Sequence, residues 1–138
     1  MRRAFLFLIG LFVCYSPATA EVIDIDNAQL AKLLEQGVPI IDIRTAPEWK
    51  QTGIVKGSHM ITFFDFYGRY DIPSWLAEVR KIVGPDDPVI LICRTGSRTA
   101  SVSGLLGIRE KYKTVYNVQY GIVKWIAEKH PVVKPGTG

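Results

Sequence analysis

Cys93 ends an apolar run, Val89-Ile90-Leu91-Ile92, and opens the segment Cys93-Arg94-Thr95-Gly96-Ser97-Arg98-Thr99. A thiol attacks as its thiolate, so a cysteine that does chemistry near neutral pH needs surroundings that move its pKa down from about 8.5. This segment carries the parts for that task. Arg94 and Arg98 bring positive charge, and Thr95, Ser97 and Thr99 bring hydroxyls. Gly96 lets the backbone curl so that successive N–H groups point inward. A helix starting directly after the loop would add its unpaired amides and its dipole. The expected product is an anion cradle, floored by Cys93, with the amides from Arg94 to Thr99 as donors. Such a cradle suits a sulfur-bearing anion or a persulfide. The bland alternative is a small apolar residue finishing a buried strand, and the flanking R-T-G-S-R weighs against it.

The N-terminus sharpens the choice. Of the 138 residues, the first twenty read MRRAFLFLIGLFVCYSPATA. Arg2 and Arg3 form a positive start, the run from Ala4 to Tyr15 is apolar, and Ala18-Thr19-Ala20 offers a small-x-small cleavage signal. Residues 1 to 20 therefore read as a signal peptide cleaved after Ala20. The apolar run falls short of the roughly 20 residues of a spanning helix, so the mature chain is not expected to cross the membrane. Export to a periplasmic location after cleavage, which this leader predicts, would put the protein where cysteines usually pair. The chain holds two cysteines, and Cys14 leaves with the leader, so Cys93 has no internal partner. An exported, unpaired thiol is either buried and inert or kept for its reactivity.

Residues 21 to 138, about 118 in number, suffice for one domain with a short C-terminal tail. The full chain has 17 basic and 13 acidic residues for a net charge of +4, and Arg2 and Arg3 belong to the leader. With no basic stripe, nucleic-acid binding has no support. Apolar spacing alternates between strand-like runs and helix-like periods. Strands are expected at Val22 to Ile25, up to Asp42, at 58 to 61 as a buried strand, at PVILI and at TVYNV. Helices are expected from Asp26 or Asn27 to Gly37, briefly from Pro47, over 72 to 83, over 97 to 111 and around Trp125. This alternation predicts a mostly parallel sheet of four or five strands with helices on both faces, and sites beyond the carboxyl ends of the strands. Asp42 and Cys93 both fall at such ends.

CRTGSRTA resembles the active-site loop of rhodanese-type sulfurtransferases, Cys-x-x-Gly-x-Arg followed by a small hydroxyl residue. IDIRTAPEWKQTGIVKGS resembles the family's Asp-x-Arg, Glu-aromatic and Gly-x-x-x-Gly-small segment, through Asp42, Arg44, Glu48, Trp49, Gly53, Gly57 and Ser58. NVQYGIVKWIAEKHPV resembles its closing Gly-Gly, Trp and Pro pattern, and the likeness runs through most of residues 21 to 133. The resemblance implies a three-layer rhodanese-like α/β domain and a two-step exchange. Cys93 would take sulfane sulfur from a small anionic donor such as thiosulfate, becoming a persulfide. It would then pass that sulfur to a thiol, to cyanide, or to a thioredoxin-like or other protein acceptor. Such chemistry calls for no metal and no cofactor. Arg94, Thr95, Gly96, Ser97, Arg98 and Thr99 would bind the substrate, while Asp42 and Arg44 would pair with each other or with backbone near the loop and position it. Several positions depart from the family pattern. Ile54-Val55 stands for His-Ile, Tyr120 for the first of two glycines, Thr95 for a lysine frequent in thiosulfate-specialised relatives, and Glu48 where those can carry a substrate-binding arginine.

Two other classes share the layout. The cell-cycle dual-specificity phosphatases place five residues between cysteine and arginine, whereas here Arg98 is itself the fifth residue after Cys93, so the loop is one residue short for a phosphate. A non-catalytic module that uses the thiol for sensing or docking is the remaining alternative. Phe63, Phe64, Phe66, Tyr67, Tyr70 and Trp75 gather around an expected loop, either to cover a core edge or as a lip or docking surface. His59 and His130 lack partners at ligand spacing, so no metal site is expected.

Overall fold

The computed structural model describes residues 13, 14 and 19 to 136; nearly all of the expected leader, including Arg2 and Arg3, lies outside the described residues. Among the described residues no helix is long and apolar enough to cross a membrane. Five strands form one sheet: β1 (Glu21–Ile25), β2 (Ile40–Asp42), β3 (His59–Met60), β4 (Val89–Ile92) and β5 (Thr114–Val118). Their order is β1-β5-β4-β2-β3, and every pairing is parallel. The helices are α1 (Asn27–Glu35), α2 (Ala46–Thr52), α3 (Ile72–Arg80), α4 (Ser97–Gly104) and α5 (Gly121–Ala127).

Parallel pairing buries both faces of the sheet, and the residue types show it. All four residues of β4 are buried, and they alternate between two cores. Val89, Leu91 and Cys93 pack with Trp75, Leu76 and Val79 of α3 and Val102 of α4. Ile90 and Ile92 pack with Leu30 of α1 and Ile122 and Trp125 of α5. The period-two alternation of a strand thus sends the Cys93 side chain toward the α3/α4 layer.

Connectivity places the crevice. From β2 the chain moves to β3 at one edge, and from β4 it moves to β5 on the other side. Successive connections diverge between β2 and β4, and such a switch point opens a crevice beyond the strand ends. Register brings Asp42 level with Ile92, and the Ile43 N–H donates to the Ile92 carbonyl at 3.1 Å.

Three expectations change. The strand expected to be buried at 58 to 61 is the two-residue edge strand β3, whose side chains are exposed because only β2 pairs with it. The helix expected over 97 to 111 is α4 followed by a π-helical turn, Leu105–Arg109. There Gly107 lets the β1 side chains approach: a Cβ on it would lie 2.9 Å from Val22 Cγ2. The helix expected over 72 to 83 ends at Arg80, and the turn that follows still buries Val83.

Candidate active site

The loop from Cys93 to Thr99 curls around its own sulfur. Gly96 N–H donates to Cys93 Sγ at 3.2 Å, and Thr99 Oγ1 lies 3.4 Å from Sγ and donates to the Gly96 carbonyl at 3.2 Å. One hydroxyl proton serves one acceptor at a time. With a neutral thiol, S–H donates to Thr99 while Thr99 holds Gly96; with a thiolate, the hydroxyl can turn to the sulfur. Cys93 and Thr99 are fully buried, and Gly96 is buried between them. Arg94, Thr95 and Ser97 are exposed at the mouth, where the Thr95 and Ser97 hydroxyls lie 3.4 Å apart.

Gly96 has φ +94°, and a Cβ there would collide with the Gln119 carbonyl of the β5–α5 connection. Gly121 meets the same junction from the other side: φ is +62°, and its Cβ would collide with the Arg94 carbonyl. These two glycines let the loops close on each other. The contact then orients carbonyls, because Ile122 N–H donates to the Cys93 carbonyl at 3.0 Å and Val123 N–H to the Arg94 carbonyl at 3.1 Å. First-turn amides of α5 that lack intrahelical partners are thereby satisfied by the cysteine loop. The closing glycine of the sequence pattern is therefore a support of the site, and Tyr120, in place of the other, is half exposed.

Asp42 and Arg44 meet in a fully buried ion pair at 2.7 Å, with Arg44 Nε donating to both carboxylate oxygens at 2.9 and 3.1 Å. The rest of the guanidinium ties the end of β2 to α2, donating to Thr52 Oγ1 at 2.8 Å and the Gly53 carbonyl at 3.0 Å. Arg44 stands in a bend just past β2, where its own N–H also donates to Asp42 Oδ1 at 3.1 Å, so this pairing is local.

Arg98 does not stand free at the loop mouth. It forms a two-pronged contact with Glu48 at 2.6 and 3.0 Å, bridging α4 to α2 across the crevice. Glu48 also accepts from Thr45 N–H at 3.1 Å, closing a capping box at the start of α2. The Arg98 contact, with help from Thr45 and against the opposing effect of burial, holds the Glu48 carboxyl at about 2, well below its ordinary 4.5. Reciprocally, the Glu48 contact pushes the Arg98 guanidinium further up. The sequence marks Glu48 as a departure at a substrate-binding position of the relatives but does not show its pairing with Arg98. The Thr45-x-x-Glu48 spacing marks its capping role, but its charge partner lies 50 positions away.

The geometry is that of a rhodanese-like domain, with a buried cysteine at the end of a central parallel strand and a helix starting from a glycine-bearing loop around it. The family profile described as "Rhodanese-like domain" matches residues 26–128, and the chain belongs to that family. It is 30% identical over 139 residues to rhodanese-like domain-containing protein 17 of Arabidopsis thaliana, covering 94% of this chain and 88% of that protein. It is 27% identical over 122 residues to thiosulfate sulfurtransferase 18 of the same plant, covering 85% of this chain and 88% of the relative. Among solved structures, the polysulfide-sulfur transferase homodimer of Wolinella succinogenes superposes with a TM-score of 0.63 at 26% identity, covering 87% of this chain and 84% of that one.

Proposed function

We propose that the protein is a sulfurtransferase in which Cys93 carries sulfane sulfur as a persulfide. The observation that carries this reading is the set of donors around Sγ, the Gly96 amide and the Thr99 hydroxyl, which can stabilise a thiolate or a terminal persulfide anion without a metal. In the loading step the Cys93 thiolate attacks the outer sulfur of the donor, a new S–S bond forms, and the old one breaks. With thiosulfate the leaving group is sulfite; with a polysulfide it is the shortened chain. A sulfurtransferase among the relatives and another among the structural neighbours support the same chemistry. A donor must part the loop mouth, since Cys93 is fully buried. The commitment of Arg98 to Glu48 speaks against the phosphatase alternative, which needs that arginine turned to the bound oxyanion. The leader pattern, with cleavage after Ala20, supports an exported protein that works outside the cytoplasm.

The test is mass spectrometry of the intact protein after incubation with thiosulfate and, separately, with polysulfide. One added sulfur atom is expected, absent in Cys93→Ser and reversed by a thiol. If the wild type gains no sulfur from either donor, the reading fails and a docking or sensing module replaces it.

A further inference from the structure

The aromatic run between residues 63 and 75 divides in two. Phe63 and Trp75 are buried and pack edge-on at 5.0 Å, closing the core beside α3. Phe66 and Tyr67 stand 88% and 77% exposed at the tip of the loop, with Tyr70 59% exposed beside them. The tip is held in shape. Asp65 Oδ1 accepts from the Tyr67 and Arg69 N–H groups, both at 2.8 Å, and Asp65 Oδ2 accepts from Arg69 Nε at 2.7 Å. The Asp65 N–H donates to the Arg69 carbonyl at 2.9 Å, and the Gly68 N–H to the Asp65 carbonyl at 3.0 Å. These bonds fix two large rings in water, where burial would favour them. Next to the tip, between the loop and α4, runs a groove of about 310 Å³ lined by Phe63, Phe64, Tyr70, Ile72, Ser101 and Leu105. An apolar cavity of about 150 Å³ takes up benzene, so the groove has room for an aromatic ring.

We propose that this face joins two copies of the chain about a twofold axis, with the Phe66–Tyr67 tip of each seated in the groove of the other. A knob and a hole side by side on one face meet the needs of an isologous contact. The rotation that puts the first tip into the second groove also puts the second tip into the first, and the pair closes without growing further. The rim charges fit the same operation. Arg69 bonds to Asp65 through Nε, while Asp71 caps α3 through the Ser74 N–H at 3.0 Å and has no cationic partner among the described residues. Across a twofold, Arg69 of one copy and Asp71 of the other complement each other twice. With side chains of about 150–250 Å² each, covering Phe66, Tyr67 and Tyr70 removes on the order of 400–500 Å² from each copy. That is roughly half of the ~800 Å² per partner in a standard interface, before the flanking loop and α4 are counted, and it points to a dimer of micromolar affinity. A bilayer is a poorer match, because Asp65 and Asp71 outnumber Arg69 at the rim and an anionic headgroup layer repels them. A fixed tip also loses little freedom on docking. Ser101 lies one turn along α4 from Ser97 at the loop mouth, so each tip would sit beside the other copy's mouth.

The test is sedimentation of the purified protein over a concentration series, with thermal melts to show that each variant is folded. Wild type should pass from one copy to two as concentration rises. Phe66→Ser with Tyr67→Ser removes the tip, and Ser101→Trp fills the groove while keeping the tip; each should raise the dimer Kd about tenfold or more. Mixed, the two variants should associate with each other more tightly than either does with itself, because the tip of one still meets the open groove of the other. Arg69→Glu changes a side chain that is 75% exposed, away from the core, and should weaken the dimer as well. A wild type that stays single at about 1 mM, a dimer indifferent to these variants, or variants that associate no better mixed than apart would overturn the twofold exchange. So would tip-dependent binding of single copies to phosphatidylcholine–phosphatidylglycerol vesicles in place of self-association.

Discussion

Replacing Glu48 by glutamine removes one charge from the crevice while keeping the shape of the side chain and an acceptor for the Thr45 amide. The wild-type carboxyl is held at about 2 instead of 4.5, a difference worth ~3 kcal/mol if it reported only on the folded contact. Both partners keep about a quarter of their side-chain surface in water, 23% for Glu48 and 27% for Arg98, so screening reduces this to about 1–2 kcal/mol. For a domain of this size that corresponds to a fall in Tm of roughly 5–10 °C. The pH dependence has a definite sign. The folded pKa is depressed, so the stabilisation is complete above the unfolded value near 4.5 and is lost as pH falls through about 2. Urea unfolding followed by tryptophan fluorescence should show the wild type ahead of Glu48→Gln at pH 7 and the gap closing between pH 4.5 and 2. An equal gap at pH 7 and at pH 2 would refute the reasoning, because the difference would then come from packing and not from charge. In the same variant Arg98 is freed, and the KM for dianionic thiosulfate should fall.

Asp42→Asn leaves the Arg44 guanidinium buried without its counter-charge and should cost about 3–5 kcal/mol in chemical denaturation, more than Glu48→Gln, because neither member of that pair touches water. Gly96→Ala meets both the positive φ and the Gln119 carbonyl; it should destabilise the fold by about 2 kcal/mol or more and expose Cys93 to faster alkylation by iodoacetamide. Expression with the native leader in an exporting host should give a mature N-terminus at Glu21 by N-terminal analysis, and retention of Met1 on a membrane-bound product would identify the leader as an anchor instead.

Features decided within a few residues were legible in the sequence. Four consecutive apolar residues announce β4, and the two-residue spacing of Asp42 and Arg44 keeps their opposite charges close enough to pair, at 2.7 Å. Features decided by distant partners were not. A strand at 58 to 61 was expected, but its place at the edge was not: β3 pairs with β2, and its two residues are exposed. The π-helical turn carries Gly107, which packs close to Val22 of β1, a strand far away in sequence.

The electrostatics of the site divide in the same way. The sequence shows Thr95 and Glu48 at positions where thiosulfate-specialised relatives can be cationic, which by itself means only that two positive charges are missing. The fold adds that Glu48 cancels a third, since its carboxylate occupies both prongs of Arg98. Of the arginines around the crevice, Arg44 is neutralised from within by Asp42 and Arg98 from across the crevice, and among the described residues Arg94 has no acidic partner. A mouth that lacks those charges has less to offer a compact dianion than one that carries them. The change of charge at Glu48 therefore bears directly on which anion the loop can hold.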